Sequence, residues 1–271
     1  MDEPAYRASL TTTQPHEEIA AIFSGGDAYV YPATIPTSTP TPVPGSTEPD
    51  PGLPSTTPPS LLTTTPAPTV SGKVAYLTFD DGPSKYTNDI LDILKEEGVP
   101  ATFFVIGSNI AGREQELKRI HEEGHKIANH TYSHDTDKIY VSTQTFLDDI
   151  HKCEEEIQKV IPGYFSDVIH FPKGSGYKNA KNIREEVNAY GYHYYDWCVL
   201  NGDAETSRKR SVDELYARFI ETLNAASRRQ HITILMHDTS TKENTVKMLR
   251  KAIRELKSRG YEMRVIPETD D

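Results

Sequence analysis

Seven short apolar runs, separated by amphipathic stretches, limit what this chain can fold into. The runs are Val74–Phe79, Thr102–Ile106, Lys126–Ala128, Val168–Phe171, Tyr192–Val199, Ile232–Met236 and Met263–Ile266, all rich in β-branched and aromatic residues. Runs of this kind read as buried strands. Between them apolar residues recur at spacings of three and four. Ile90, Leu91, Ile93 and Leu94 form one stripe closed by Gly98, and Leu117 and Ile120 a second closed by Gly124. Phe146, Leu147, Ile150, Cys153 and Ile157 form a third, and Leu215, Phe219 and Leu223 a fourth. Val246, Leu249, Ile253 and Leu256 form a fifth, closed by Gly260. A glycine just past the last periodic residue signals a helix C-terminus. Strand–helix alternation predicts parallel pairing with right-handed crossovers, in either a barrel-like (β/α) sheet or an open doubly wound one. Both architectures place their chemistry at the carboxyl ends of the strands.

The polar residues obey that rule. Asp80-Asp81-Gly82 follows the first run, and His130 and His134 follow the third. His170 and the Pro172–Gly176 loop close the fourth, Asp203 follows the fifth, and His237-Asp238 follows the sixth. Surface polarity scattered at random would not sort this way, so the expectation is a single site at one rim of the sheet.

Composition divides the chain. Hydrophobic residues are 36% of its 271 positions, a low share with a local cause. From Pro32 to Thr69, 12 Pro, 11 Thr and 4 Ser fill most of 38 positions, with no Lys or Arg. Such a segment cannot bury enough apolar surface to offset its ordering entropy. It is expected to be a disordered linker over 32–69 with polyproline II character, preceded by a poorly ordered tail over 1–31. Residues 70–271 remain as one catalytic domain, ample for a sizeable core. The net charge is −11, and the domain itself is mildly acidic with no basic stripe, which argues against nucleic acid as a partner. No apolar run approaches the roughly 20 residues of a membrane span. The N-terminus also lacks the pattern of a signal peptide. A Pro/Thr stalk suits a head held away from a surface, so the expectation is an extracellular or wall-associated monomer whose export signal or anchor lies upstream. Two cysteines, Cys153 and Cys198, allow one bridge or two free thiols.

The rim residues suggest a hydrolytic metal site. His130 and His134 stand at i and i+4, and on a helical turn would share one face and one divalent ion. Asp81 would supply an oxygen ligand, and a His₂Asp set leaves positions open for water and substrate. Successive side chains of an extended segment diverge, so Asp80 would face the attacking water as general base. The alternative is a pair of Asp capping the next helix. His237, at the end of an apolar strand, is either a core histidine or a general acid. Asp203 is its first candidate partner and Asp238 its second.

Five motifs carry a family resemblance. Thr78-Phe79-Asp80-Asp81-Gly82-Pro83, His130-Thr131-Tyr132-Ser133-His134, Phe171-Pro172-Lys173-Gly174, Asp196-Trp197 with Asp203, and Leu235-Met236-His237 resemble, in order and spacing, the motifs of the polysaccharide deacetylases. This is carbohydrate esterase family 4, with its NodB-homology domain. The resemblance spans about residues 70–268 and implies a distorted (β/α) barrel of about seven parallel strands. It implies Asp80 as base, Asp81, His130 and His134 as ligands of Zn²⁺ (Co²⁺ or Ni²⁺ as alternatives), and His237 as acid tuned by Asp203. It implies the Lys173 N–H as oxyanion donor and Trp197 and Leu235 as walls of the acetyl pocket. The implied partner is an acetylated polysaccharide, with N-acetylglucosamine of peptidoglycan first. An O-acetyl xylan esterase or a chitin-type deacetylase would use the same site.

One position departs from the family. Its third motif usually begins with an Arg that pairs with the catalytic Asp, and here His170 stands in that place. An imidazole lacks the permanent charge and fork of guanidinium. Full activity is therefore in question, and a weakened carbohydrate-binding relative is the further alternative. The metal ligands are untouched by the change.

Overall fold

The structure, a computed structural model, describes residues 72–268. The tail expected over 1–31 and the linker over 32–69 lie outside the described residues. The organising element is β1, Lys73–Gly82, buried almost throughout, as a strand flanked on both edges and covered on both faces must be. It pairs in parallel with β7, His231–His237, from Val74 opposite His231 to Asp80 opposite His237. Its other edge is shared. The first half takes β8, Tyr261–Arg264, and the second takes β2, Thr102–Val105. Beyond β2 come β3 (Lys126–Asn129), β4 (Val168–Ile169) and β5 (His193–Tyr194), while β6 (Val199–Leu200) lies outside β7. Every pairing is parallel, as the alternation predicts.

The run read as one strand over Tyr192–Val199 is instead two short strands, β5 and β6, at opposite ends of the sheet. Only four residues join them, and five residue steps reach at most about 17 Å. The two edges must therefore curl toward each other. The result is the distorted (β/α) barrel, open between β5 and β6.

Helices cover the outside. They are α1 (Thr87–Glu97), α2 (Glu114–Glu122), α3 (Thr136–Ile139), α4 (Thr143–Val160), α5 (Arg184–Ala189), α6 (Val212–Ala225) and α7 (Glu243–Ser258). Ser142 with Thr145 and Ser211 with Glu214 form reciprocal capping boxes that fix the starts of α4 and α6. All five expected stripes lie on helices, with Ile93 and Val246 at partly buried margins. Both cysteines are free thiols.

Side-chain alternation sorts the strands into two faces. Ala75, Leu77 and Phe79 of β1 and Ile232, Ile234 and Met236 of β7 pack under the helices. Val74, Tyr76, Phe104, Ala128, Val168, Tyr195 and Ile266 fill the barrel interior. Continuing the interior phase along each strand gives Asp80, His130 and His170. Asn129 lies opposite Ile169, so His130 and His170 leave their strands at one level. Phe104 lies beneath them, with ring centroids 6.5 Å from His130 and 5.2 Å from His170. Replacing Phe104 with Ala should cost about 3–5 kcal/mol, the usual loss for a buried aromatic. Urea unfolding monitored by circular dichroism checks this.

Candidate active site

The rim gathers all the expected residues, and backbone irregularity is what completes it. In regular extension Asp81 would point to the helix side, away from Asp80. The register of β1 against β2 instead slips between Asp80 and Gly82, and Asp81 takes a φ of 70°. This local kink turns the Asp81 carboxylate back to the site. The two carboxylates therefore converge rather than diverge as expected. Asp81 Oδ1 lies 3.6 Å from His130 Nε2, and Asp80 Oδ2 lies 3.7 Å from the same nitrogen. Gly82 permits the turn, because a Cβ there would fall 2.6 Å from Asp238 Oδ2. Asp238 anchors the segment by accepting hydrogen bonds from Ser84 Oγ at 2.6 Å and Thr87 Oγ1 at 2.5 Å. It is thus committed away from His237.

His130 and His134 do not share a helical turn. Residues 130–135 form an irregular loop, with Thr131 at φ 68° and His134 at φ 54°. Asp149 on α4 holds it by accepting from the N–H groups of Tyr132 and Ser133, each at 2.8 Å. Asn129 holds it from below, receiving the Thr131 N–H at 2.8 Å and donating to the Ile150 carbonyl at 2.9 Å. The loop brings His134 Nε2 to 3.6 Å from Asp81 Oδ1.

Asp81, His130 and His134 thus offer three ligand atoms within 4.8 Å of one another. Tetrahedral ligands at about 2.05 Å from zinc stand about 3.4 Å apart, so the two 3.6 Å separations suit a small divalent ion. Asp81 Oδ1 is buried without a hydrogen-bond partner. Burial pushes His130 down to about 3, against the raising effect of Asp80, so the ring is neutral at working pH. Its Nδ1 faces the His170 carbonyl at 2.8 Å and so carries the proton, leaving a lone pair on Nε2. These residues fit a divalent metal ion.

His237 stands beside Asp80, its Cα partner across β1 and β7. Its Nδ1 donates to Asp203 Oδ1 at 2.7 Å, and its backbone N–H reaches Asp203 Oδ2 at 3.1 Å. Thr245 Oγ1 also donates to Asp203, at 2.7 Å. Burial opposes charge on His237, but the Asp203 hydrogen bond and charge outweigh it and lift the imidazole to about 9. Burial likewise opposes the Asp80 carboxylate. His170 and then His130 overcome it, and Asp80 titrates below the usual carboxylate range.

His170 Nδ1 lies 2.7 Å from Asp80 Oδ2, in the place that the resemblance gives to Arg. The ring is buried between Phe104 and Trp197, and its Nε2 looks toward Asp196 Oδ1 at 3.9 Å. Asp196 is in turn held by the Ser175 N–H at 2.9 Å and by its hydroxyl. Lys173 sits at φ 69° in the loop beyond His170, and Trp197 packs against Gly174 of that loop. Leu235, two residues before His237, faces the same interior side. Beside Asp81 and His134 opens a cleft of about 340 Å³, lined also by Ser84, Asn109, Arg113 and Thr239. Sequence reasoning missed Asp149 and the anchoring part of Asp238, and gave Asp196 no role of its own. Asp149 had no signal, since it reads as part of a solvated helix face.

The profile of the family described as Polysaccharide deacetylase matches residues 67–195. A peptidoglycan-N-acetylglucosamine deacetylase of Bacillus cereus is 31% identical, with 72% of this chain and 70% of that protein aligned. A chitooligosaccharide deacetylase of Rhizobium leguminosarum is 31% identical over 71% of this chain and 90% of its own. The crystal structure of the catalytic domain of a peptidoglycan N-acetylglucosamine deacetylase from Eubacterium rectale superposes with a TM-score of 0.66. It is 30% identical, with 74% of this chain and 91% of that chain covered. The chain has the fold of a carbohydrate-deacetylating enzyme. It belongs to the polysaccharide deacetylase family, carbohydrate esterase family 4.

Because folding raises the His237 pKa above its ordinary 6.5, its contribution to stability is complete below about pH 6.5 and lost as the pH rises through about 9. Asp203→Asn should bring the His237 titration down toward the ordinary value and flatten stability over that window. NMR titration of the metal-free protein, with urea unfolding from pH 6 to 10, measures both.

Proposed function

We propose that the protein removes N-acetyl groups from N-acetylglucosamine of peptidoglycan, as an extracellular or wall-associated hydrolase. The carrying observation is the pairing across β1 and β7. It sets the low-titrating Asp80 beside the high-titrating His237. Two titratable groups driven apart in this way are suited to opposite proton transfers. Asp81, His130 and His134 would hold a divalent ion, with zinc first among candidates. When bound, such an ion polarises the amide carbonyl and acidifies water.

The chain's own residues do the rest. Asp80, ionised, takes the proton of the attacking water, and His170 fixes the direction of its carboxylate. The Lys173 N–H donates to the developing oxyanion. His237 is charged at neutral pH and gives its Nε2 proton to the departing nitrogen, while Asp203 holds Nδ1. Trp197 and Leu235 wall the acetyl methyl. The products are acetate and a free amino sugar. Peptidoglycan is favoured by the Bacillus cereus and Eubacterium rectale relatives and by the Pro/Thr-rich composition of residues 32–69.

Acetate release from peptidoglycan, chito-oligosaccharides and acetylated xylan, with and without added Zn²⁺, tests the reading. Peptidoglycan should be the best substrate, and preference for xylan would replace amide with ester hydrolysis. Asp80→Asn and His237→Ala should each lower kcat by about 10²–10⁴-fold, the range for a positioned acid or base. His170→Ala should lose about 10²-fold if base orientation is its main part. His130→Ala, which removes a metal ligand, should lose both bound metal and turnover, as metal analysis and the same assay would show.

A further inference from the structure

We propose that the site offers a divalent ion a second, inner position made by Asp80, His130 and His170. Their ligand atoms also lie within 4.8 Å of one another, and all three residues are buried, at 2%, 3% and 4% exposure. Asp80 Oδ1 and His170 Nε2 are buried without a hydrogen-bond partner, beside the site. His170 Nδ1 lies 2.7 Å from Asp80 Oδ2, so an ion in this seat replaces the proton shared across that contact and widens it toward the ~3.4 Å spacing of zinc ligands.

The surroundings suit a ligand set. Metal-binding imidazoles direct their second nitrogen at a carbonyl or carboxylate. His130 Nδ1 does so toward the His170 carbonyl, while His170 Nε2 lies 3.9 Å from Asp196 Oδ1, beyond hydrogen-bond reach. The inner ion takes Nδ1 of His170, with the ring proton kept on Nε2. The donor set is again two imidazoles and a carboxylate, so it selects the same class of ion as the outer set. A guanidinium at position 170 offers no lone pair and could not complete it.

The two positions exclude each other. Both need His130 Nε2, which has a single lone pair. One ion therefore divides between an outer seat with Asp81 and His134 and an inner seat with Asp80 and His170. An inner ion occupies Asp80, so a molecule in that state is inactive. That consequence rests on the proposed role of Asp80, whereas the binding itself does not.

Metal analysis and Co²⁺ absorption spectra test this, using Zn²⁺ or Co²⁺ alone as probe and circular dichroism to confirm folding. The parent and His170→Arg should each hold about one ion per chain. His134→Gln and Asp81→Asn, which damage only the outer seat, should each still hold about one ion, with a changed Co²⁺ spectrum and no turnover. Adding His170→Arg to either should weaken binding by at least ~100-fold. If the two outer variants lose the ion as fully as the doubles while the parent keeps it, the inner seat is refuted and the outer reading stands. If the doubles bind as tightly as the outer singles, the inner triad is not the holder. If parent and His170→Arg both stay metal-free, both readings fall together.

Discussion

The parallel pairing of β1 with β7 is the constraint on which the rim depends. Once Val74 faces His231, the two-residue repeat carries Asp80 to His237 without further choice. A slip of one residue would turn Asp80 under the helices and bring Phe79 into the barrel, exchanging an ion for a phenyl ring on both faces. The apolar side chains under the helices thus specify the register that sets the two polar groups side by side. Stability and chemistry rest on one set of hydrogen bonds.

Regular strands alone could not finish the site, because alternation sends neighbours to opposite faces. Four non-glycine residues have positive φ among the described residues, and they are Asp81, Thr131, His134 and Lys173. All four lie at the rim, Asp81 at the irregular end of β1 and the other three in loops. A left-handed conformation costs about 1–2 kcal/mol at a residue with a Cβ, so it persists only where the surroundings impose it. Here the anchors are visible. Asp238 binds Ser84 and Thr87 beside Asp81, while Asp149 and Asn129 bind the loop of Thr131 and His134. These buried and half-buried side chains spend their hydrogen-bonding capacity on shaping backbone.

This division also explains what could be read in the sequence. Residues placed by strand periodicity were legible, and Asp80, His130 and His170 fall on the interior phase that apolar spacing already defines. The five helices with repeated apolar spacing were legible for the same reason. Asp81 was assigned to the rim, but its direction depends on a register slip that no residue type announces. The His130–His134 spacing suggested a helical turn because i and i+4 coincide in a helix, whereas here two positive φ angles fold a loop to the same end. Tyr192–Val199 looked like one strand because an apolar run carries no mark where the chain leaves one sheet edge for the other. Asp149 was invisible, since its partners are backbone groups far away along the chain.

His170 brings these themes together. A guanidinium between Asp80 and Asp196 would face both carboxylates with several donors and a permanent charge. An imidazole has one nitrogen for each, at 2.7 Å and 3.9 Å. Burial disfavours charge on the ring, yet the Asp80 carboxylate more than offsets that and raises its pKa above the ordinary value. In its charged form His170 therefore does what Arg would do for Asp80, provided the gap between them holds a proton. Freed of that proton, the same lone pair is open to a metal ion, as proposed for the inner seat. Position 170 is thus where the chain trades a fixed positive charge for one that a proton or a metal ion can supply. Arg would have denied the gap to both.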